Sequence, residues 1–314
     1  MDELLEQTAT RIFGDLANSP EALWDALDQN GLTRIWVSEA GGGFDLSPED
    51  GFGLIRLTGS SGANIALAET LMATWFLTEA GMKPPEGQMS IYLDGLQRGI
   101  TFGDCAAYVV QISDRSVSLH SGPASGSLAA VGLDHLSEPL MVNDEAIATG
   151  QMPADSGFLF AALTRSAQIC GALDAVLGRT IEFAEQREQF GRPISKFQAI
   201  QNLLSEMGVE AASASAALDT AVAKVKRGQP LDFPTIATAK YRACIAATIV
   251  SENSHQVHGA IGYTEEFGLA RLTRRLWQWR EDFGAEKHWA NALGRAALTD
   301  AQPLWPKITD WYEK

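Results

Sequence analysis

From Phe197 onward, Ile200, Leu204, Met207, Ala211, Ala214, Leu218, Val222 and Val225 step by three or four positions without a break. That period lays a single apolar stripe along one long helix. A helix of this length has to bury its stripe against other helices, so an antiparallel bundle is the expected host. Ser195-Lys196-Phe197-Gln198 has the form of a capping box, with Pro193 just outside, and Gly228 and Pro230 close the segment. A second helix is expected from about Pro234 to Gly259, with Ile236, Ala239, Ala243, Ala246, Val250 and Val257 on one face. A third is expected from near Thr264, with Glu265 and Glu266 in its first turn and Leu269, Leu272, Leu276 and Trp279 as its stripe. The chain is thus predicted to be strongly helical after Ser156.

Upstream the texture differs. Leu4, Leu5, Thr8, Ile12 and Leu16 have helical spacing, and Ser19-Pro20 starts a helix carrying Leu23 and Leu27. A glycine turn follows at Gly41-Gly42-Gly43, and helices resume at Ser47-Pro48 and over Ile65–Met72. Gly81-Met82-Lys83-Pro84-Pro85-Glu86-Gly87 stops any helix. Between Gln88 and Gly150, short β-rich runs such as Ala107–Ile112 and the alternating Arg115–Leu119 predict a small β region. The expected division is 1–85 helical, 86–150 β and 151–314 helical bundle.

Composition limits the partners. The 314 residues carry 24 Lys and Arg against 39 Asp and Glu, a formal charge of −15, which disfavours nucleic acid. No window approaches the roughly 18 apolar residues of a membrane span, so no membrane is expected. The acidic start MDELLEQTATRIFGDL has no signal core, and Cys105, Cys170 and Cys244 are widely separated. Both point to a reduced, cytoplasmic setting. His255 and His258 are the one close histidine pair, and no further ligands at zinc spacing accompany them.

Three stretches exceed what a bundle needs. Arg187-Glu188-Gln189-Phe190-Gly191-Arg192-Pro193-Ile194 reads as a basic helix end with a glycine cap, or as an arginine aimed at a phosphate. Gln256–Tyr263 reads as a helix-helix turn, or as a backbone approach for a ligand at Gly259 and Gly262. It is not a GxGxxG after a strand, so a Rossmann site is disfavoured. Trp277–Gly284 reads as a solvated acidic turn, or as a carboxylate raised in pKa between aromatic rings and able to act as a base.

In order and separation these stretches resemble the acyl-CoA dehydrogenase family over nearly the whole chain. Val37–Gly43 is similar to the family's Pro-Glu-x-x-Gly-Gly turn, with Ser38 in place of the proline. Ala66–Leu71 is similar to a helix of its shorter bacterial members, and Ala239-Lys240 precedes the Gln256 motif as in the family. Arg187–Ile194 followed by Phe197–Gln201 is close to its C-terminal signature. The resemblance implies a mainly α fold: an N-terminal helical domain, a middle β domain and a C-terminal four-helix bundle. It implies FAD bound between subunits, with Arg187 at the pyrophosphate, Gln189, Phe190 and Gln198 around it, and Gln256 and Gly259 at the adenosine. Ala260 replaces a second glycine common in the family.

The implied reaction is α,β-dehydrogenation of an acyl-CoA thioester, with electron-transfer flavoprotein as acceptor. The family places its base at either of two positions. The first reads Thr164-Arg165 here, without a carboxylate, and leaves Arg165 to order the acyl-CoA site. The second falls nearest Glu281, with Asp282 as substitute, although spacing from Arg274 lands near Phe283. The family's flavin-ring segments are missing from the short middle region. In this the chain resembles the short subunit of bacterial α2β2 enzymes of steroid side-chain degradation. Two roles follow: a catalytic subunit using Glu281 on a steroid or fatty acyl-CoA in a shared FAD site, or a non-catalytic structural partner.

Overall fold

The computed structural model describes residues 1–94, 100–103, 105–122, 136–137, 145–264, 268–299 and 305–306. Four helices open the chain: α1 (Glu3–Leu16), α2 (Pro20–Gln29), α3 (Pro48–Ser61) and α4 (Leu67–Glu79). Asp2 caps α1 by accepting from the Leu4 and Leu5 amides, and Ser47 caps α3 by accepting from Asp50 N. Ser19 holds the cap position of α2 without a side-chain bond. Helix α4 is buried on every side from Leu67 to Leu77, Glu69 included. A carboxylate in such an element needs an internal partner.

The strands are β1 (Met89–Leu93), β2 (Ile100–Thr101), β3 (Tyr108–Ser113), β4 (Ser116–Ser121), β5 (Leu136–Ser137) and β6 (Ala148–Gln151). One sheet runs β1-β3-β4-β6, with β1 and β3 parallel and the other pairs antiparallel; β2 and β5 pair separately. Val117 and Leu119 share the buried face of β4, as their alternation requires. Thr70 ties the sheet to α4, its hydroxyl donating to Met89 O and accepting from Met89 N.

Helix α5 (Ser156–Gln186), the longest among the described residues, is followed by the hairpin β7 (Glu188–Gln189) and β8 (Arg192–Pro193). Then come α6 (Gln198–Ala223), α7 (Phe233–His258), α8 (Leu269–Glu281) and α9 (Glu286–Leu298). Helices α5 to α8 form the expected bundle. The α6 stripe is buried from Met207 through Val222. Helix α3 crosses α5 so closely that a Cβ on Gly59 would lie 2.0 Å from Gln168 O, and one on Gly171 1.9 Å from Arg56 O.

The expected capping box at Ser195 does not form. Ile194–Lys196 is a 3-10 turn, Phe197 is the N-cap with extended backbone, and the helix proper starts at Gln198. Ser195 contributes its carbonyl instead, which accepts from Gln201 Nε2 at 3.0 Å. The α7 cap is Asp232, which accepts from Thr235 N. The last bundle helix starts at Leu269, not Thr264; Glu265 and Glu266 lie outside the described residues.

Candidate functional site: a groove at two helix ends

Helix α5 ends where Arg187 turns extended, its amide still donating to Phe183 O. The chain reverses through Phe190 (φ +52°) and Gly191 (φ +78°), a two-residue loop with both residues left-handed, as tight hairpins require. This throws the Phe190 ring outward, 92% exposed. The end of α7 lies alongside. Ala184, Ile194 and Val257 form a small buried cluster between the two ends, and His258 stacks on Phe183 with ring centroids 4.3 Å apart. His258 Nδ1 lies 2.8 Å from Ser254 O, which can only accept, so Nδ1 carries the proton. Burial pushes the pKa of His255 and His258 below the usual histidine value.

These ends enclose a groove of about 680 Å³. Arg187, Gln189, Phe190, Gln256 and Gly259 line it together with Phe183, Phe197, Ile200 and His258. Five of the six residues expected at a cofactor therefore meet in one place. Gln198 is exposed on the first turn of α6 and does not line the groove. Gly259 has φ +63° and ψ −146°, and an added Cβ would meet nothing within 4 Å. Its backbone is therefore open to an incoming group. The arrangement can hold a long amphipathic anion, with a guanidinium for phosphate, amides for polar edges and an apolar floor for a ring.

The expected catalytic residues lie elsewhere. Arg165 is 1% exposed in the middle of α5. It pairs with Glu69 of α4 at 2.8 Å and with Asp282 at 3.0 Å, and donates to Gln168 Oε1. Gln168 passes the network on to Thr58 Oγ1. Phe283 lies under the Arg165 guanidinium, 5.4 Å from it. Glu281 closes α8 with its side chain 60% exposed, bonded to Arg280 Nε at 2.9 Å. The structure thus brings Asp282, and not Glu281, to Arg165.

Lys240 went unassigned in the sequence, yet it organises this turn. It is fully buried, and its Nζ donates to Trp279 O at 2.9 Å and Arg280 O at 3.0 Å, beside Cys244 Sγ at 3.4 Å. A buried ammonium there meets the negative end of the α8 dipole. Burial lowers its pKa despite support from Cys244 and Asp282. Trp289 Nε1 holds the far side of the turn through Phe283 O and Gly284 O. The available signal was a lone charge in an apolar run, present at Glu69 but not at Lys240, which has Arg242 two residues on.

Among the described residues, no helix is long and apolar enough to cross a membrane. Residues 150–281 match the family described as acyl-CoA dehydrogenase, C-terminal domain. A 3-(aryl)acrylate reductase of Clostridium sporogenes is 28% identical over 61% of this chain and 48% of its own length. A short-chain-specific acyl-CoA dehydrogenase of Megasphaera elsdenii is 35% identical over 35% of this chain and 28% of its own. The chain thus spans half or less of these curated relatives. Among solved structures, a variant of the Tcur3481-Tcur3483 steroid ACAD superposes with a TM-score of 0.81 at 21% identity, covering 92% of this chain and 95% of that one. The ChsE4-ChsE5 complex of Mycobacterium tuberculosis gives 0.79 at 19% identity, covering 96% and 99%. Residues 150–281 are thus similar to the C-terminal domain of acyl-CoA dehydrogenases, and the chain shares the overall fold of these solved structures.

Proposed function

We propose that this chain is one subunit of a heteromeric, FAD-dependent acyl-CoA dehydrogenase, and that it completes a cofactor site shared with a second, fuller subunit. The carrying observation is the convergence of Arg187, Gln189, Phe190, Gln256 and Gly259 on one groove. The groove suits the adenosine diphosphate half of FAD: the exposed Arg187 for the diphosphate, the open Gly259 backbone and Gln256 for the adenosine. FAD, when bound, supplies the acceptor for the hydride leaving the β-carbon of an acyl-CoA.

The remaining steps need only protein groups. Arg187 offsets part of the diphosphate charge, and Phe190 lines the groove beside it. The α-proton goes to a carboxylate, for which Glu281 is this chain's candidate, with the Arg165-bound Asp282 as substitute; Arg165 orders the acyl-CoA site. A steroid side-chain acyl-CoA is the proposed substrate class, with fatty acyl-CoA the competitor, because a steroid ACAD shares the fold. Electron-transfer flavoprotein is the proposed acceptor.

One observation favours a second reading, in which the partner does the chemistry and this chain only holds cofactor. Arg165 is saturated by Glu69, Gln168 and Asp282, while Glu281 faces solvent beside Arg280. Glu281→Gln in the assembled complex separates the two. A rate loss of about 10²–10⁴-fold puts the base on this chain, and a rate unchanged both there and in Asp282→Asn gives it to the partner. The shared site itself is tested by colour. The chain purified alone should carry little flavin, and the chain co-expressed with the dehydrogenase subunit encoded beside it should be yellow. A colourless, nucleotide-free complex removes the proposal.

A further inference from the structure

Cys244 follows Lys240 by one helical turn on the same face of α7. Its sulfur meets two groups at the end of α8, Lys240 Nζ and Arg280 O, each at 3.4 Å. An ammonium has three N–H groups. At Lys240 two of them go to Trp279 O and Arg280 O, and the third points at Cys244 Sγ. Once that third proton leaves, both carbonyl bonds can stay and the nitrogen lone pair takes the third direction, toward the sulfur. Amine and sulfur are thus held together and oriented before any reaction begins.

The other two thiols stand in different surroundings. Cys105 is exposed, beside Phe102 O. Cys170 is enclosed in the middle of α5, where burial pushes its thiol up to about 12. The cation acting on it is Arg56, and a guanidinium stays protonated and is no nucleophile. Cys244 is buried at the rim of the bundle. Thr248, one turn further along α7, is half-buried and accepts from Arg280 at 2.9 Å, so the sulfur lies beneath the half-buried Arg280 side chain. Burial lowers the pKa of Lys240, which eases loss of its proton. Burial also raises the Cys244 thiol, and the Lys240 charge offsets part of that rise.

We propose that Lys240 and Cys244 form a modification site, a pair that hydrogen peroxide joins through a reversible N–S bond, a sulfenamide. The thiol takes one peroxide oxygen, giving Cys244 sulfenic acid and one water. Lys240 gives a proton to solvent, and its lone pair forms the N–S bond as the S–O bond breaks. The leaving hydroxide takes a second amine proton and departs as water. Sulfur is oxidised by two electrons, and the peroxide is reduced by two. Closing the bond draws Nζ away from the Trp279 and Arg280 carbonyls and removes a positive charge that interacts with Asp282. The end of α8 then loses its clamp, so the pair is a redox-sensitive release for the turn that carries Glu281 and Asp282. The bond does not depend on the shared-cofactor reading.

The test treats the full chain carrying Cys105→Ser, which removes the exposed thiol, with hydrogen peroxide. Free thiols are then alkylated in denaturant and tryptic peptides are mapped by mass. The peptide joining Lys240 to Cys244 should be lighter by about 2 Da, uncleaved at Lys240, unalkylated at Cys244 and restored by dithiothreitol. Cys170 should alkylate fully in the same sample. The thermal midpoint should fall by about 2–4 °C and recover with dithiothreitol. Lys240→Arg keeps the cation without a nucleophilic amine and should send Cys244 to sulfinic acid with no light peptide. If that variant does not fold, Cys244→Ser, which should abolish the light peptide, serves in its place. Cys244 recovered alkylated at every dose the fold survives, or oxidised with Lys240 still cleaved, overturns the inference. A light peptide that persists in Cys244→Ser also overturns it. A light peptide with an unmoved midpoint overturns the release of the turn. Flavin is not read in this test, so its failure leaves the shared site standing.

Discussion

Two arginines on one helix, Arg165 and Arg187, have opposite surroundings. Arg165, in the middle of α5, is enclosed and meets two carboxylates and an amide of its own chain. Arg187, at the end of the same helix, is exposed at the rim of a groove. The first position spends its charge inside the fold; the second presents it outward. The same side chain is therefore structural at one site and available to a ligand at the other, and only the surroundings distinguish them.

Arg165→Met should destabilise the chain by about 3–5 kcal/mol in urea denaturation, because Glu69 is left buried without its cation. A loss below about 1 kcal/mol, the range of an exposed pair, would show that the cluster is not a structural unit. Lys240→Met tests the same turn from the other side. Leaving the Trp279 and Arg280 carbonyls without their donor should cost about 1–3 kcal/mol, read from the thermal midpoint.

A smaller effect is expected with pH. His255 and His258 have folded pKa values below their unfolded value of about 6.5. Below that value the unfolded chain binds more protons, so this contribution is complete above about pH 6.5 and is lost as pH falls toward the folded values. A denaturation series from neutral to mildly acidic pH should show declining stability, with a shallower slope in His258→Gln. Arg187→Ala should change stability least, within about 0.5 kcal/mol, because the side chain is exposed.

Much of the groove was legible in the sequence because its parts are local. Arg187 through Ile194 is a contiguous hairpin, and Gln256 through Gly259 is a single helix end. The long α6 stripe and the alternation in β4 were legible for the same reason. What escaped depends on packing between distant segments. Glu69 and Arg165 lie in different helices, and only the fold brings them together. Lys240 caps a helix that begins many residues later. The parallel pairing of β1 with β3 cannot be read from either strand alone. The misread cap at Ser195 shows the limit of a local motif: the hairpin before it and the extended Phe197 delay the helix to Gln198.

A flavin site shared between two chains requires Arg187 to hold the diphosphate. The direct measurement is FAD affinity of the co-expressed complex against its Arg187→Ala variant, by flavin absorbance after dialysis. Loss of a charge-assisted contact to the diphosphate should weaken binding by about 10–100-fold, with the complex still assembled. Full retention of flavin by the variant would contradict it.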